Sequence, residues 1–217
     1  LGPVAWVALS QYASKEWGMA QTGPDTGSYQ FSSLGYREEE LTRLAQQAEA
    51  AWPDEKRILE WLGLSSGKLV LDVGCGPGFL TRLMARNYPG TRFVGLELDE
   101  TLVQTARSVG EDGDLFTVRQ GSIYESSLED NSFDFAYARL VFQHLAEPGL
   151  ALKELWRILK PGGVLAVADV DDGLFMIYPE PPGFDEVVSQ TARLQAEKGG
   201  DRMIGRKRTM LFGRREV

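Results

Sequence analysis

The stretch "VLDVGCGPGFL", Val70 to Leu80, sets Gly74, Gly76 and Gly78 directly after an apolar run. Leu69-Val70-Leu71 reads as a buried strand with an acid, Asp72, near its end. Phe79, Leu80, Leu83 and Met84 then recur at helical spacing and open the next element. A glycine turn between strand and helix lets a ligand approach main-chain atoms, and the helix start offers N–H groups without partners. The stretch reads as a cradle for a nucleotide-like ligand.

Outward from this loop, strands and helices alternate. The pattern predicts strands over Leu69–Val73, Arg92–Leu96, Leu115–Arg119, Phe133–Ala138 and Val164–Asp169. It predicts helices over Gly78–Asn87, Glu100–Val109, Pro148–Leu159 and Phe184–Lys198. Lys160-Pro161-Gly162-Gly163 reads as a turn that stops a helix before the last strand. Upstream, Leu41, Leu44, Ala45 and Ala48 fit an amphipathic helix from Arg37 to Ala51. Pro53 suits the first position of a second helix, which Gly63 closes. Alternation of this kind specifies an α/β fold, doubly wound around a mostly parallel sheet.

The ends of the chain read differently. Residues 4–9 are apolar at both alternating sets of positions, as in a strand buried on both faces. Gln21–Ser33 is polar, Gly-rich and loop-like, and the basic end "RMIGRKRTMLFGRREV" reads as a solvated helix with a few apolar contacts rather than a nucleic-acid arm.

The 217 residues fit one sizeable domain, and a net charge of -8 argues against binding nucleic acid by broad phosphate neutralisation. Cys75 is the only cysteine, which fits a reducing, cytoplasmic setting, and His144 is the only histidine, which argues against a Cys/His metal site. The apolar runs are too short to span a bilayer and no signal-peptide pattern opens the chain. These features predict a soluble protein with a small-molecule substrate, no metal, and no nucleic-acid or membrane partner.

The dinucleotide fingerprint G-x-G-x-x-G needs glycine at position 79, where Phe79 stands. A phosphate-binding Gly-Lys-Ser/Thr is also missing, so the loop has no dedicated pyrophosphate site. The second strand ends at Glu97, roughly 20 residues past the loop, where an acid can accept bonds from both ribose hydroxyls. "VRQGSIYE" brings Ser122-Ile123 to the carboxyl edge of the sheet, beside the place of an adenine. A nucleoside with little or no phosphate fits this set.

The segments "LVLDVGCGPGFLTRL", "FVGLELDETLVQTAR", "VRQGSIYESSLEDNSFDFAYARLVFQHL" and "ELWRILKPGGVLAVADVD" follow in this order over residues 68–172. In them the chain resembles the class I S-adenosylmethionine-dependent methyltransferases. It is most similar to the small-molecule group called type 11, related to the ubiquinone/menaquinone-biosynthesis enzymes. The resemblance implies a Rossmann-like core with strand order 3-2-1-4-5, and methyl transfer from S-adenosylmethionine with S-adenosylhomocysteine as product. It implies a cofactor site drawn from Asp72, Gly74, Cys75, Gly76, Gly78, Glu97, Leu98, Ser122, Ile123 and Arg139. Ser122 stands where the family commonly has Asp, and Arg139 where smaller residues are frequent, which opens a substrate or carboxylate role for Arg139. The chain has the family's "GGDR…GR" stretch (Gly199 to Arg206) but then lacks the usual closing strand pair. Residues 4–9 are expected to supply that edge, within the chain or through strand exchange in a homo-oligomer; a truncated chain with a flexible N-terminus is the alternative.

This divides the chain into an N-terminal segment (residues 1–36, edge strand and lid), a cofactor-binding core (37–172) and a C-terminal substrate-lid segment (173–217). His144 is the candidate base, or else it holds a helix start. Asp169, Asp171 and Asp172 form either a solvated loop or a site for a cationic substrate. Tyr29, Phe31 and Tyr36 form either an aromatic lid over the sulfonium or anchors to the core. Cys75 reads as a small residue in a tight loop, not a nucleophile. A non-catalytic cofactor-binding scaffold is the alternative function, and a nicotinamide oxidoreductase is disfavoured by the glycine spacing.

Overall fold

The computed structural model describes residues 4–9, 28, 29, 31–110 and 116–207. Parallel strands β2 (Leu69–Val73), β3 (Arg92–Glu97), β4 (Phe116–Gln120), β5 (Phe133–Arg139) and β6 (Leu159–Asp169) form the sheet, and β1 (Val4–Leu9) joins it at one edge. The order is β1-β6-β5-β2-β3-β4, so the parallel strands alone run 3-2-1-4-5. This is the doubly wound order that the resemblance implies. Its carboxyl edge, beside the point where the order reverses, is where such sheets bind ligands.

Helices α1 (Arg37–Trp61), α2 (Phe79–Asn87), α3 (Glu100–Gly110) and α4 (Pro148–Ile158) bury residues in the core, and α5 (Phe184–Ala196) buries none. One sheet face packs Leu71, Val73, Ala136 and Val167 with Leu152, Leu155 and Ile158 of α4. The other packs Val70, Phe93 and Phe135 with Leu80 and Met84 of α2 and Leu59 of α1. No helix among the described residues is long and apolar enough to cross a membrane.

Three boundaries differ from the sequence reading. Pro53 does not start a second helix: α1 runs unbroken through it. The proline forfeits a single main-chain bond, while Ala48 before it and Leu59 after it are buried in the same cluster. Packing overrides the local stop. Lys160 to Gly163 are not a connection before the last strand but part of β6: while β5 advances from Phe133 to Phe135, β6 advances from Leu159 to Val164. The basic end, as far as Lys207, is a short helical turn with the expected apolar contact at Ile204, but Arg202 and Arg206 are ion-paired rather than simply solvated. Residues 208–217, Leu115 and most of the Gly-rich loop (21–27 and 30) lie outside the described residues.

Strand β1 runs antiparallel to β6, from Val4 opposite Asp169 to Leu9 opposite Val164. It covers the main-chain groups of β6 that β5 does not use, and an open apolar edge invites pairing with other chains. Deleting residues 1–9 is therefore expected to cause loss of soluble protein or a larger oligomer, read by size-exclusion chromatography. A soluble, equally stable protein of unchanged size would show that this edge needs no cover.

Candidate functional site

The loops after β2, β3, β5 and β6 meet the first half of α1 around a cavity of about 610 Å³, a volume typical of small-molecule and cofactor pockets. Gly74 has φ 60°, and a Cβ there would stand 2.7 Å from Cγ2 of Val141, so only glycine lets the loop after β5 come this close. Gly76 has φ 55°, and its N–H donates to Oε2 of Glu97 at 2.9 Å. The other carboxylate oxygen, Oε1, accepts the N–H groups of Leu98 (2.8 Å) and Asp99 (3.0 Å). Glu97 thus ties the glycine loop to the end of β3. Burial raises its pKa, against the pull of these N–H donors. The three N–H donors use both lone pairs of Oε1 and one of Oε2, so the second lone pair of Oε2 is left to accept a ligand hydroxyl.

Asp72 is buried at the cavity floor, and loss of solvent pushes its carboxyl up to about 7. Thr81 Oγ1 donates to it at 2.5 Å, and the charge of Arg139 opposes the rise. Cys75 is buried with its thiol pushed up by burial, so it forms wall and holds no reactive thiolate. Its N–H donates to the Leu96 carbonyl at 3.2 Å.

Of the residues singled out in the sequence, Tyr29, Asp72, Gly74, Cys75, Gly76, Glu97, Leu98, Ile123, Arg139 and His144 line the cavity. Gly78, Ser122, Asp169 and Asp171 do not. Gly78 begins α2, and a Cβ there would meet the Phe116 ring at 2.9 Å, so it serves packing. Ser122 Oγ accepts the N–H of Tyr124 at 3.0 Å and shapes its own loop.

The acids after β6 are neither a solvated loop nor an open anionic site. Asp169 is fully buried, accepts the N–H groups of Val170 (2.8 Å) and Gln143 (3.1 Å), and is pushed up to about 6 by burial. Arg206 pairs with Asp171 at 2.6 Å, and Arg202 grips Asp172 with two bonds of 2.8 and 2.9 Å. Of the aromatic trio, Phe31 is buried and Tyr36 is exposed, and neither lines the cavity. Tyr29 alone does, with its hydroxyl donating to Glu40 at 2.9 Å.

Residues 71–167 match a protein-family model described as a methyltransferase domain. Residues 71–167 belong to the class I S-adenosylmethionine-dependent methyltransferases. Demethylmenaquinone methyltransferase of Listeria welshimeri is 30% identical over 135 residues, which cover 61% of this chain and 55% of that protein. The structure of an S-adenosylmethionine-dependent methyltransferase from Aquifex aeolicus is similar at TM-score 0.52 and 27% identity, over 67% of this chain and 79% of that one. Phosphoethanolamine N-methyltransferase 2 of Haemonchus contortus, solved with S-adenosylmethionine, is similar at TM-score 0.52 and 25% identity, over 68% of this chain and 36% of that one. The chain spans about half the length of the curated relatives it matches, between 42% and 55% in the first of them.

The methyltransferase domain also draws on residues that the sequence pattern left unmarked. Arg43, Leu44, Gln47 and Ala48 bring one stripe of α1 to the cavity. In the sequence, Arg43 and Gln47 look like a solvated helix face. Glu55, further along α1, is buried and ion-paired with Arg139. Gln143, Val170 and Arg202 close the far side. His144 Nδ1 lies 2.7 Å from Ser28 Oγ and 3.5 Å from Gln195 Nε2, and its ring meets that of Tyr29 at a tilt, with centroids 5.5 Å apart. Burial, then the charge of Arg202, lowers the imidazole to about 4.

Proposed function

We propose that the protein transfers the methyl group of S-adenosylmethionine to a small-molecule acceptor bound in this cavity. The observation that carries this reading is the Glu97 carboxylate, bonded to Gly76 N–H at the wall of the cavity. In this reading Glu97 accepts a ribose hydroxyl, Ile123 packs beside the adenine, and Asp72 with the backbone of Gly74 and Gly76 faces the methionine end. The cofactor supplies a methyl group already activated on a cationic sulfur. The chain's part is to align the acceptor with that methyl and to keep water out.

His144 serves this alignment rather than proton removal. The carbonyl of Gln143 accepts from Gln195 Nε2 at 2.8 Å, which fixes the orientation of that amide and turns its N–H side toward Nδ1. With the Ser28 hydroxyl also placed to donate, Nδ1 is the acceptor and the ring proton sits on Nε2. An imidazole held near 4 is a poor base at neutral pH. His144 is a positioning residue with an N–H to offer.

Calorimetric titration tests the reading. S-adenosylmethionine and S-adenosylhomocysteine are expected to bind and NAD is not; micromolar NAD binding without S-adenosylmethionine binding overturns it. The affinity for S-adenosylmethionine should also rise with pH up to about 7 and then level off. Below the raised pKa of Asp72, a proton must leave before the carboxylate can face a cation, at a cost of at most about tenfold per pH unit. S-adenosylhomocysteine, whose sulfur is neutral, should show a shallower profile. Identical profiles for the two would remove Asp72 from the methionine end.

A further inference from the structure

Resting on the methyltransferase reading, we infer that the acceptor carries an anionic group, a carboxylate or a phosphate, and that Arg202 recognises it. The Gly199-Gly200-Asp201-Arg202 stretch is built tightly against the cavity wall. Asp201 N–H donates to the Gln143 carbonyl at 2.7 Å, and the Arg202 carbonyl accepts the N–H of Asp172 at 3.0 Å. A Cβ on Gly200 would stand 2.7 Å from the Gln143 carbonyl oxygen, so this approach excludes any side chain. Ile204, two residues beyond, is buried in the core.

The guanidinium is oriented from behind. Nε and Nη2 hold Asp172 at 2.8 and 2.9 Å, and Nη1 donates to Gln143 Oε1 at 3.0 Å. A guanidinium carries N–H donors in a rigid fork, and these contacts leave the second N–H of each terminal nitrogen for a ligand. Asp172 itself does not line the cavity, while Arg202 does.

The charge around the cavity points the same way. Among the described lining residues, the acids are Asp72 and Glu97, both on the cofactor half at the ends of β2 and β3. The cations among them are Arg43, Arg139 and Arg202, and their partners Glu40, Glu55 and Asp172 all lie off the lining. Tyr29 lies within the field of Arg43 and the neutral His144 within that of Arg202, their rings tilted against each other at 5.5 Å. A cationic acceptor would meet N–H donors and positive charge here. A carboxylate or phosphate would meet a forked donor, and the apolar body behind it would meet Leu145 and Val170.

The test uses the full chain saturated with S-adenosylhomocysteine and three ring probes of similar size and different charge: benzoate, phenol and benzylammonium. Calorimetry should show benzoate binding about tenfold or more tightly than the other two. In the double variant Asp172→Asn/Arg202→Gln, which removes both charges together and leaves neither orphaned, benzoate should weaken by about tenfold or more. The S-adenosylhomocysteine affinity should stay within about twofold, as for an intact fold. Displacement of benzoate by acetate assigns a carboxylate, and displacement by inorganic phosphate assigns a phosphate. Benzylammonium binding as tightly as benzoate, benzoate insensitive to the double variant, displacement by neither anion, or no saturable binding overturns the inference alone. Failure of the wild-type chain to bind S-adenosylhomocysteine overturns this inference and the methyltransferase reading together.

Discussion

Replacing Glu97 with alanine is expected to lower affinity for S-adenosylhomocysteine by about tenfold or more while the protein stays folded. A hydrogen bond from a ribose hydroxyl to a carboxylate is worth about 1.5–3 kcal/mol, and every 1.4 kcal/mol is tenfold. The substitution also frees the N–H groups of Gly76, Leu98 and Asp99, which the carboxylate now gathers. The glycine loop then loses its tie to β3, which adds to the loss of affinity. Glu97→Gln retains one acceptor oxygen and should fall between wild type and Glu97→Ala. Calorimetry beside a thermal melt separates binding from folding. An affinity unchanged within a factor of two, with the melt intact, would falsify the ribose assignment.

The second large effect is on stability. Glu55 of α1 and Arg139 at the end of β5 are paired with side chains 6% and 12% exposed, so both charges have left water. The second carboxylate oxygen, Glu55 Oε2, is buried without a hydrogen-bond partner. Burial first, and then the charge of Glu55, pushes the nearby Tyr137 phenol up. Glu55→Ala leaves the guanidinium buried and unpaired, which costs about 3–5 kcal/mol. For a chain of this size that lowers the melting temperature by roughly 6–20 °C. Replacing both residues with apolar ones, as in Glu55→Leu/Arg139→Met, should recover most of the loss, because no buried charge is then left over. Urea unfolding of the variants measures this directly. A cost below about 1 kcal/mol for Glu55→Ala would mean that the pair is hydrated in solution.

What the sequence determined by itself is what depends on neighbours along the chain. Gly74 and Gly76 directly after an apolar strand, Glu97 at the end of the next and Ile123 after the third are local signals with fixed spacing. Their alternation with helices specifies a parallel sheet with crossovers of one hand, and the resemblance implied the strand order. All of these residues line the cavity. Tertiary structure alone decided the rest. Pro53 and Gly63 are local stop signals, yet α1 runs through the proline because both of its halves bury against the same cluster. Asp171 and Asp172 look like open acids until Arg206 and Arg202, more than a helix away in sequence, fold back onto them. Arg43 and Gln47 look like a solvated helix face until the sheet edge rises beside α1. The glycine-loop side of the cavity is written in local backbone geometry. The side built from α1 and Arg202 is assembled from long-range ion pairs and helix packing, which no periodicity along the chain encodes.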